Sequence, residues 1–271
     1  MTTSHATPSP KGTAVVTGAS AGIGRTYAQR LAARGFDLLL VARRAERLEA
    51  LAQTLRLDHG VQVEVLAADL ADAGALERVA QRLERDDNVT LLVNNAGVAT
   101  FGAVAGTEPA ALDTMTDVNV TAVVRLARAV LLAFKRRDRG TLVNIGSVLG
   151  FHALAFSGAY SGTKGYVLNF TRGLQEEVAG TNVVVQLVAP ASTATDIWDL
   201  AGVPLATLAP ANVMSTADLV DAALAGLDQG EKITLPSVED AQLFADYDAA
   251  RLKLLAASQT GKPASRYRVG R

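Results

Sequence analysis

The sequence predicts a doubly wound parallel α/β sheet of about seven strands, with helices on both faces. Three observations predict it. Short runs of Val, Leu, Ile and Thr recur along the chain as continuous apolar stretches, the pattern of strands covered on both faces. Amphipathic stretches of about ten to twenty residues separate them, the length of a crossover helix. Glycine and asparagine cluster where several runs end, at Gly18 and at Asn94-Asn95-Ala96-Gly97. Alternation with this spacing means right-handed βαβ units and so a parallel sheet.

Thr13–Thr17 is the first strand, followed by glycines and a helix whose Ile23, Tyr27 and Leu31 share a face until Gly35. Asp37–Ala42 is a second strand, and Arg44–Leu57 a helix with Leu48, Leu51 and Leu55 on one stripe. Val61–Ala67 is the third strand, and Asp72 is placed to cap the next helix, which carries Leu76, Val79 and Leu83. Thr90–Val93 makes the fourth strand. A long helical region from Pro109 to Arg137 is expected to step near Asn119. Thr141–Ile145, Val183–Val188 and Lys232–Leu235 complete the strands, with a helix over Tyr160–Val178 and another beginning near Thr216. Between the sixth strand and that last helix, Ala189–Met214 reads as an irregular insertion.

Composition sets the limits. The chain has 271 residues, 49% of them hydrophobic and 20% charged, which supplies a large core and argues against disorder. No compositional break marks a second domain, so the expectation is a tail over residues 1–11, one domain over 12–257 and a C-terminal tail over 258–271. A net charge of −1 argues against nucleic acid or an anionic membrane as the main partner. Without cysteine there is neither a disulfide framework nor a thiolate, and His5, His59 and His152 are too scattered for a zinc motif. The N-terminus lacks the apolar core of a signal peptide, and the most apolar helix carries Asn119, Arg125 and Arg128. A cytoplasmic protein without a membrane span or metal is expected.

The chemistry belongs at the C-terminal ends of the strands. Gly18-Ala-Ser20-Ala-Gly22-Ile23-Gly24 lies between the first strand and first helix, where glycines let backbone approach a pyrophosphate and the helix N-terminus meets its charge. An acid at the end of the second strand would read the ribose hydroxyls of NAD, but the chain has Arg43 and Arg44 there. Two guanidinium groups suit a 2′-phosphate, so NADP(H) is favoured over NAD(H). Asp69, beside Leu70, follows the third strand, within reach of an adenine, although an ordinary loop aspartate fits equally. Tyr160 and Lys164 are one helical turn apart, and Ser147 lies upstream. An ammonium beside a phenol favours the phenolate, as does the partial positive charge of a helix N-terminus. Such a pair alone is usually a mere surface contact. Its meaning comes from the nucleotide-binding features around it.

Taken together, Thr17–Gly24, Asn94–Gly97, Asn119, Ser147 and Tyr160-x-x-x-Lys164 resemble, in order and spacing, the short-chain dehydrogenase/reductase family in its compact branch, over about residues 12–235. The resemblance implies a Rossmann-type domain. It also implies that Tyr160 is the acid/base, that Ser147 positions the substrate oxygen, and that Lys164 lowers the tyrosine pKa and holds the nicotinamide ribose. Asn119 corresponds to the asparagine that shapes the helix and holds a relay water, and Asp69 to an adenine contact. Asn95, Ala96 and Gly97 correspond to the loop that approaches the cofactor. Pro190, Thr193 and Thr195 belong to a segment beside the nicotinamide that usually begins Pro-Gly; here Ala191 replaces the glycine. A homodimer or homotetramer is implied through the helices around Val120–Arg136 and after Tyr160.

The expected reaction is reduction of a carbonyl on a hydrophobic small molecule, or the reverse, with negative charge on the oxygen met by Ser147 and Tyr160. Leu149, Phe151, Leu154, Phe156 and Trp198 are candidates for the substrate wall, together with Val148, Ile197, Leu200, Leu205 and Met214; each could equally be core. His152 reads as an ordinary loop histidine. A non-catalytic NADP-binding regulator is the alternative, as is an enzyme working mainly as an alcohol or steroid dehydrogenase. A sugar-nucleotide epimerase would need a larger C-terminal domain than the chain has after its sixth strand.

Overall fold

The computed structural model describes residues 9–267. Seven strands form one sheet in the order β3-β2-β1-β4-β5-β6-β7, every pair parallel. They are β1 (Thr13–Thr17), β2 (Asp37–Ala42), β3 (Val63–Ala67), β4 (Val89–Asn94), β5 (Gly140–Ile145), β6 (Val183–Val188) and β7 (Ile233–Thr234). Strand order reverses between β1 and β4, and the crevice outside their C-terminal ends is where ligands bind in open sheets of this kind.

The continuous apolar runs are explained by two cores, one on each face. On one, α1 (Gly22–Ala33), α2 (Ala45–His59) and α8 (Thr216–Asp228) bury Tyr27, Leu31, Leu48, Leu55 and Leu219 against Val16, Leu38 and Leu40. On the other, α3 (Ala73–Arg85), α5 (Val123–Arg137) and α6 (Gly158–Glu177) bury Leu76, Leu83, Leu126, Phe134 and Leu174 against Val15, Leu39 and Leu142. Each fully buried Leu or Phe contributes about 2 kcal/mol. Asp72 caps α3 by accepting from the Ala75 N–H at 2.6 Å, as its position predicted.

The expected step near Asn119 is a change of helix type. Between α4 (Pro109–Thr116) and α5 the chain takes a π-helical turn, Asp117–Ala122, with Asn119 buried inside it. Such a turn re-aims side chains and occurs mostly at functional sites. The helix around Tyr160 begins two residues earlier than expected, at Gly158, after buried Ser157 has pinned the preceding loop through the backbone of Leu154.

Residues up to Pro236 form one compact unit and Ser237 onward a second. The second contains α9 (Ala241–Ser258), capped by Asp240, which the sequence reading left unassigned. The helix buries none of its residues, and Leu243, Leu252, Leu254 and Leu255 spread over more than one face, so no stripe marks it. Residues 1–8 and 268–271, parts of the expected tails, lie outside the described residues. Among those described, no helix is long and apolar enough to cross a membrane.

Candidate active site

Ser147 leaves the end of β5 in extended conformation, φ −166°, tied on both sides to the end of β6. Gly146 donates to the Val188 carbonyl at 2.7 Å and Val148 to that of Pro190 at 2.9 Å. The Ser147 hydroxyl accepts from the Leu149 N–H at 3.1 Å, donates to the Pro190 carbonyl at 3.5 Å, and lies near enough to Tyr160 to favour its phenolate. Tyr160 stands in the first turn of α6 and Lys164 one turn on. Gly150 makes this approach possible, since a β-carbon there would lie 2.8 Å from the Lys164 carbonyl oxygen. Only glycine lets the loop after Ser147 lie flat on α6.

Lys164 is buried and donates from Nζ to the Ile145 carbonyl at 3.0 Å. Its Nζ is 5.8 Å from the centre of the Tyr160 ring. Burial pulls its pKa down to about 8. Burial also pushes the half-buried Tyr160 up to about 12, offset in part by the hydrogen bond with Ser147. The expectation that the lysine makes the phenol more acidic is therefore corrected for the chain by itself. Burial disfavours both charged forms and is the larger influence on each.

Asn119 ties the site to the loop after β4. Its Oδ1 accepts from the Val98 N–H at 2.9 Å, and its Nδ2 donates to the Val98 carbonyl at 2.9 Å and to Thr163 Oγ1 at 3.1 Å. Thr163 in turn donates to the Tyr160 carbonyl at 2.8 Å. Gly97 lies where a β-carbon would be 3.3 Å from Asn119 Oδ1 and 3.7 Å from Lys164 Nζ. The asparagine side chain thus spans from the β4 loop to the tyrosine helix.

At the other end of the crevice, Gly18 has φ +67°, and a β-carbon there would meet Asn95 Nδ2 at 2.7 Å. The Asn95 side chain donates to the Thr17 carbonyl at 2.8 Å, and the backbone N–H groups of Asn95 and Ala96 both donate to Thr17 Oγ1 at 3.0 Å. The side chain of Asn95 is spent on the turn. Gly22 and Gly24 open α1, with the neighbouring Ile23 packed on the core. Arg44 donates to Ser20 Oγ at 3.1 Å, placing a guanidinium beside the turn, and Arg43 is exposed at the end of β2. Asp69 Oδ1 accepts from the Ala71 N–H at 3.0 Å, and Leu70 is buried. Thr193 and Thr195 bring the insertion back over the turn: a β-carbon on Gly22 would be 3.1 Å from Thr195 Cγ2. Ala191 needs no left-handed backbone, since Asp138 is the only non-glycine with positive φ among the described residues.

Residues 12–202 match the family model for short chain dehydrogenase. The chain belongs to the short-chain dehydrogenase family. It resembles the 7beta-hydroxysteroid dehydrogenase of Clostridium sardiniense, with 35% identity over 68% of this chain and 70% of that one. Among solved structures, it is similar to a short-chain dehydrogenase from Sphingobium yanoikuyae in complex with NADPH. There the identity is 43% and the TM-score 0.92, over 95% of this chain and all of that one. It is also similar to the bulky-bulky ketone specific alcohol dehydrogenase from Comamonas testosteroni, at 38% identity and TM-score 0.88, covering 95% of this chain and 99% of that one.

In this short-chain dehydrogenase the candidate substrate residues separate. Phe156 and Trp198 stand with Tyr160 in one aromatic group, joined through Phe101. Leu149 is partly exposed beside Ser147, and Leu154 is exposed. Phe151 takes the core alternative that the sequence left open: partly buried, its side chain packs against Val123, Val167, Leu168 and Leu187, as do Phe170 and Ile233. Met214 likewise packs on the core, and Leu200 and His152 lie exposed at the surface. Phe101 was missed. It sits in the loop four residues after Gly97, and a lone aromatic in a loop following a cofactor motif was the available signal.

Proposed function

We propose that this short-chain dehydrogenase is an NADP(H)-dependent reductase of bulky hydrophobic ketones or aldehydes, running in reverse as an alcohol dehydrogenase. The observation that carries the reading is the convergence of Ser147, Tyr160 and Lys164 at one end of the crevice, where the Ser147 hydroxyl favours the phenolate of Tyr160 against burial and Lys164 lies buried one turn behind. Two hydroxyls then face one point where a carbonyl oxygen can sit, the arrangement needed where negative charge develops. With a pKa near 12, Tyr160 keeps its proton at neutral pH, and an alkoxide is a strong enough base to take it. At about 8, Lys164 is still mostly protonated at pH 7 and can recharge the tyrosine side of the site.

The residues present fit a dinucleotide. Gly18, Gly22 and Gly24 with the backbone of Ile23 would receive the pyrophosphate at the N-terminus of α1. Ser20, Arg43 and Arg44 would hold a 2′-phosphate, in keeping with the NADPH complex of the Sphingobium relative. Asp69 and Leu70 would flank the adenine. Ala96, Gly97, Lys164, Pro190, Thr193 and Thr195 would line the nicotinamide half. The bound cofactor supplies the hydride and, once oxidised, a positive ring beside the phenol. The substrate class follows from the aromatic group at Tyr160 and from relatives named for bulky-bulky ketones and hydroxysteroids.

Self-association through α5 and α6, where Leu132 and Tyr166 stay about half exposed, belongs to the same proposal; light scattering at the monomer mass would sink it. The reaction is tested by Tyr160→Phe. Turnover of a ketone panel with NADPH should fall at least about a thousandfold while NADPH binding stays within about twofold. Retained turnover would refute the assignment.

A further inference from the structure

Three aromatic rings from three separate loops converge on Tyr160. Phe101 comes from the loop after β4, Phe156 from the stretch before α6, and Trp198 from α7 (Ile197–Leu200) in the insertion after β6. Phe101 is common to every contact. Its ring centre lies 5.5 Å from that of Tyr160, edge-on at 69°, and 5.9 Å from that of Phe156, edge-on at 76°. It is stacked on Trp198, with centres 5.6 Å apart and planes 27° from parallel.

Backbone and indole hydrogen bonds hold the rings in place without using their ring faces. Gly102 donates to the Phe156 carbonyl at 2.7 Å, locking the Phe101 and Phe156 loops together. The Trp198 indole donates to the Thr193 carbonyl at 2.9 Å. Asn119 holds both backbone groups of Val98, three residues before Phe101. The rings are not core: Phe156 is 48% exposed, and Phe101 and Trp198 are partly open to solvent.

A carbonyl whose oxygen reaches the Tyr160 hydroxyl must lay one substituent within the span of this group. Ring faces carry negative charge density and ring edges positive, so aromatic partners gain from stacked or edge-on packing that a saturated ring of the same size lacks. We propose that Phe101 is a specificity-determining residue that selects ketones bearing a planar aryl substituent, by packing it into the Phe101–Trp198–Phe156 wall. The inference rests on the carbonyl-reductase reading above and names the substrate class within it.

The test compares acetophenone with cyclohexyl methyl ketone, a pair matched in size but not in planarity, in the full-length enzyme with NADPH. The wild type should prefer the aryl ketone in kcat/KM. Phe101→Ala should cut that preference at least about tenfold, chiefly through KM for the aryl ketone, and Phe101→Tyr should restore it. NADPH binding, read by cofactor fluorescence, should be unchanged in both. Should Phe101→Ala fold poorly, Phe101→Leu keeps the bulk without the ring and should show the same loss of preference. A preference unmoved by removing the ring, or a wild type that favours the cyclohexyl ketone, overturns the inference and leaves the reaction standing. A wild type that binds NADPH but reduces neither these ketones nor any of a wider panel overturns both.

Discussion

Lys164 donates from Nζ to the carbonyl oxygen of Ile145 at 3.0 Å, from the interior of the helix–sheet interface. One carbonyl does not replace the water an ammonium loses, and its pKa is lowered from 10.5 to about 8. Across that window the unfolded chain binds more protons than the folded one, so Lys164 makes stability rise with pH from about 8 to 10.5. Above pH 10 the raised pKa of Tyr160 works the other way, because there the folded state holds the extra proton. Lys164→Met should remove the rise, on the order of 3 kcal/mol in full. Urea unfolding at pH 7 and pH 10 measures it; equal slopes in wild type and variant would show that the lysine is not desolvated as described.

A phenol held near 12 is loaded for donation and poor at accepting. Ketone reduction should vary little between about pH 6 and 8, whereas alcohol oxidation should climb with pH by up to about tenfold per unit. Initial rates in both directions across that range decide the matter. An oxidation rate that peaks below pH 7 would contradict the protonation state assigned to Tyr160.

Arg44 already reaches Ser20 at the glycine turn, with Arg43 beside it at the strand end. Replacing either with alanine should raise KM for NADPH by about 10–100-fold, the weight of a charge-assisted hydrogen bond. KM for NADH should move less than about threefold. Parallel losses for both cofactors would mean that the arginines support the turn rather than read a phosphate.

Asn119 holds two backbone groups of Val98 and the hydroxyl of Thr163 from a buried position. Asn119→Leu strands both backbone groups and takes a donor from Thr163, whose hydroxyl keeps its bond to the Tyr160 carbonyl; this should cost about 3 kcal/mol and lower Tm by roughly 6–12 °C. Turnover should fall as well, because the loop bearing Phe101 and the helix bearing Tyr160 lose their common tie. A Tm within about 2 °C of wild type would show that water replaces the amide without loss.

The sheet was legible because burial on both faces leaves an unbroken apolar run, and the βα turns were legible because few residues tolerate their backbone. Ser147, Tyr160 and Lys164 were readable as a spacing, and the fold brings them together. Their electrostatics were not readable, since spacing shows that Lys164 and Tyr160 are near each other but not how far each is buried. Phe151 and Phe101 are both loop aromatics beside a motif, and only the fold shows that the first packs beside Val167 while the second meets Tyr160 and Trp198. The helix α9 went unassigned because its leucines lack a single face.

The insertion that carries Trp198 leaves and rejoins the fold at one place. Thr193 and Met214 form a parallel bridge, Ala194 donates to the Met214 carbonyl at 2.9 Å, and Met214 donates to that of Ser192 at 3.0 Å. With its two ends clasped, the part of the segment beyond Thr195 and Asp196, which touch the glycine turn and Arg44, can be lengthened, shortened or exchanged without disturbing any strand. The cofactor crevice then stays with the sheet, while substrate range can drift in one replaceable loop, and transplanting residues 197–213 from a relative is the shortest route to a new preference on an unchanged frame.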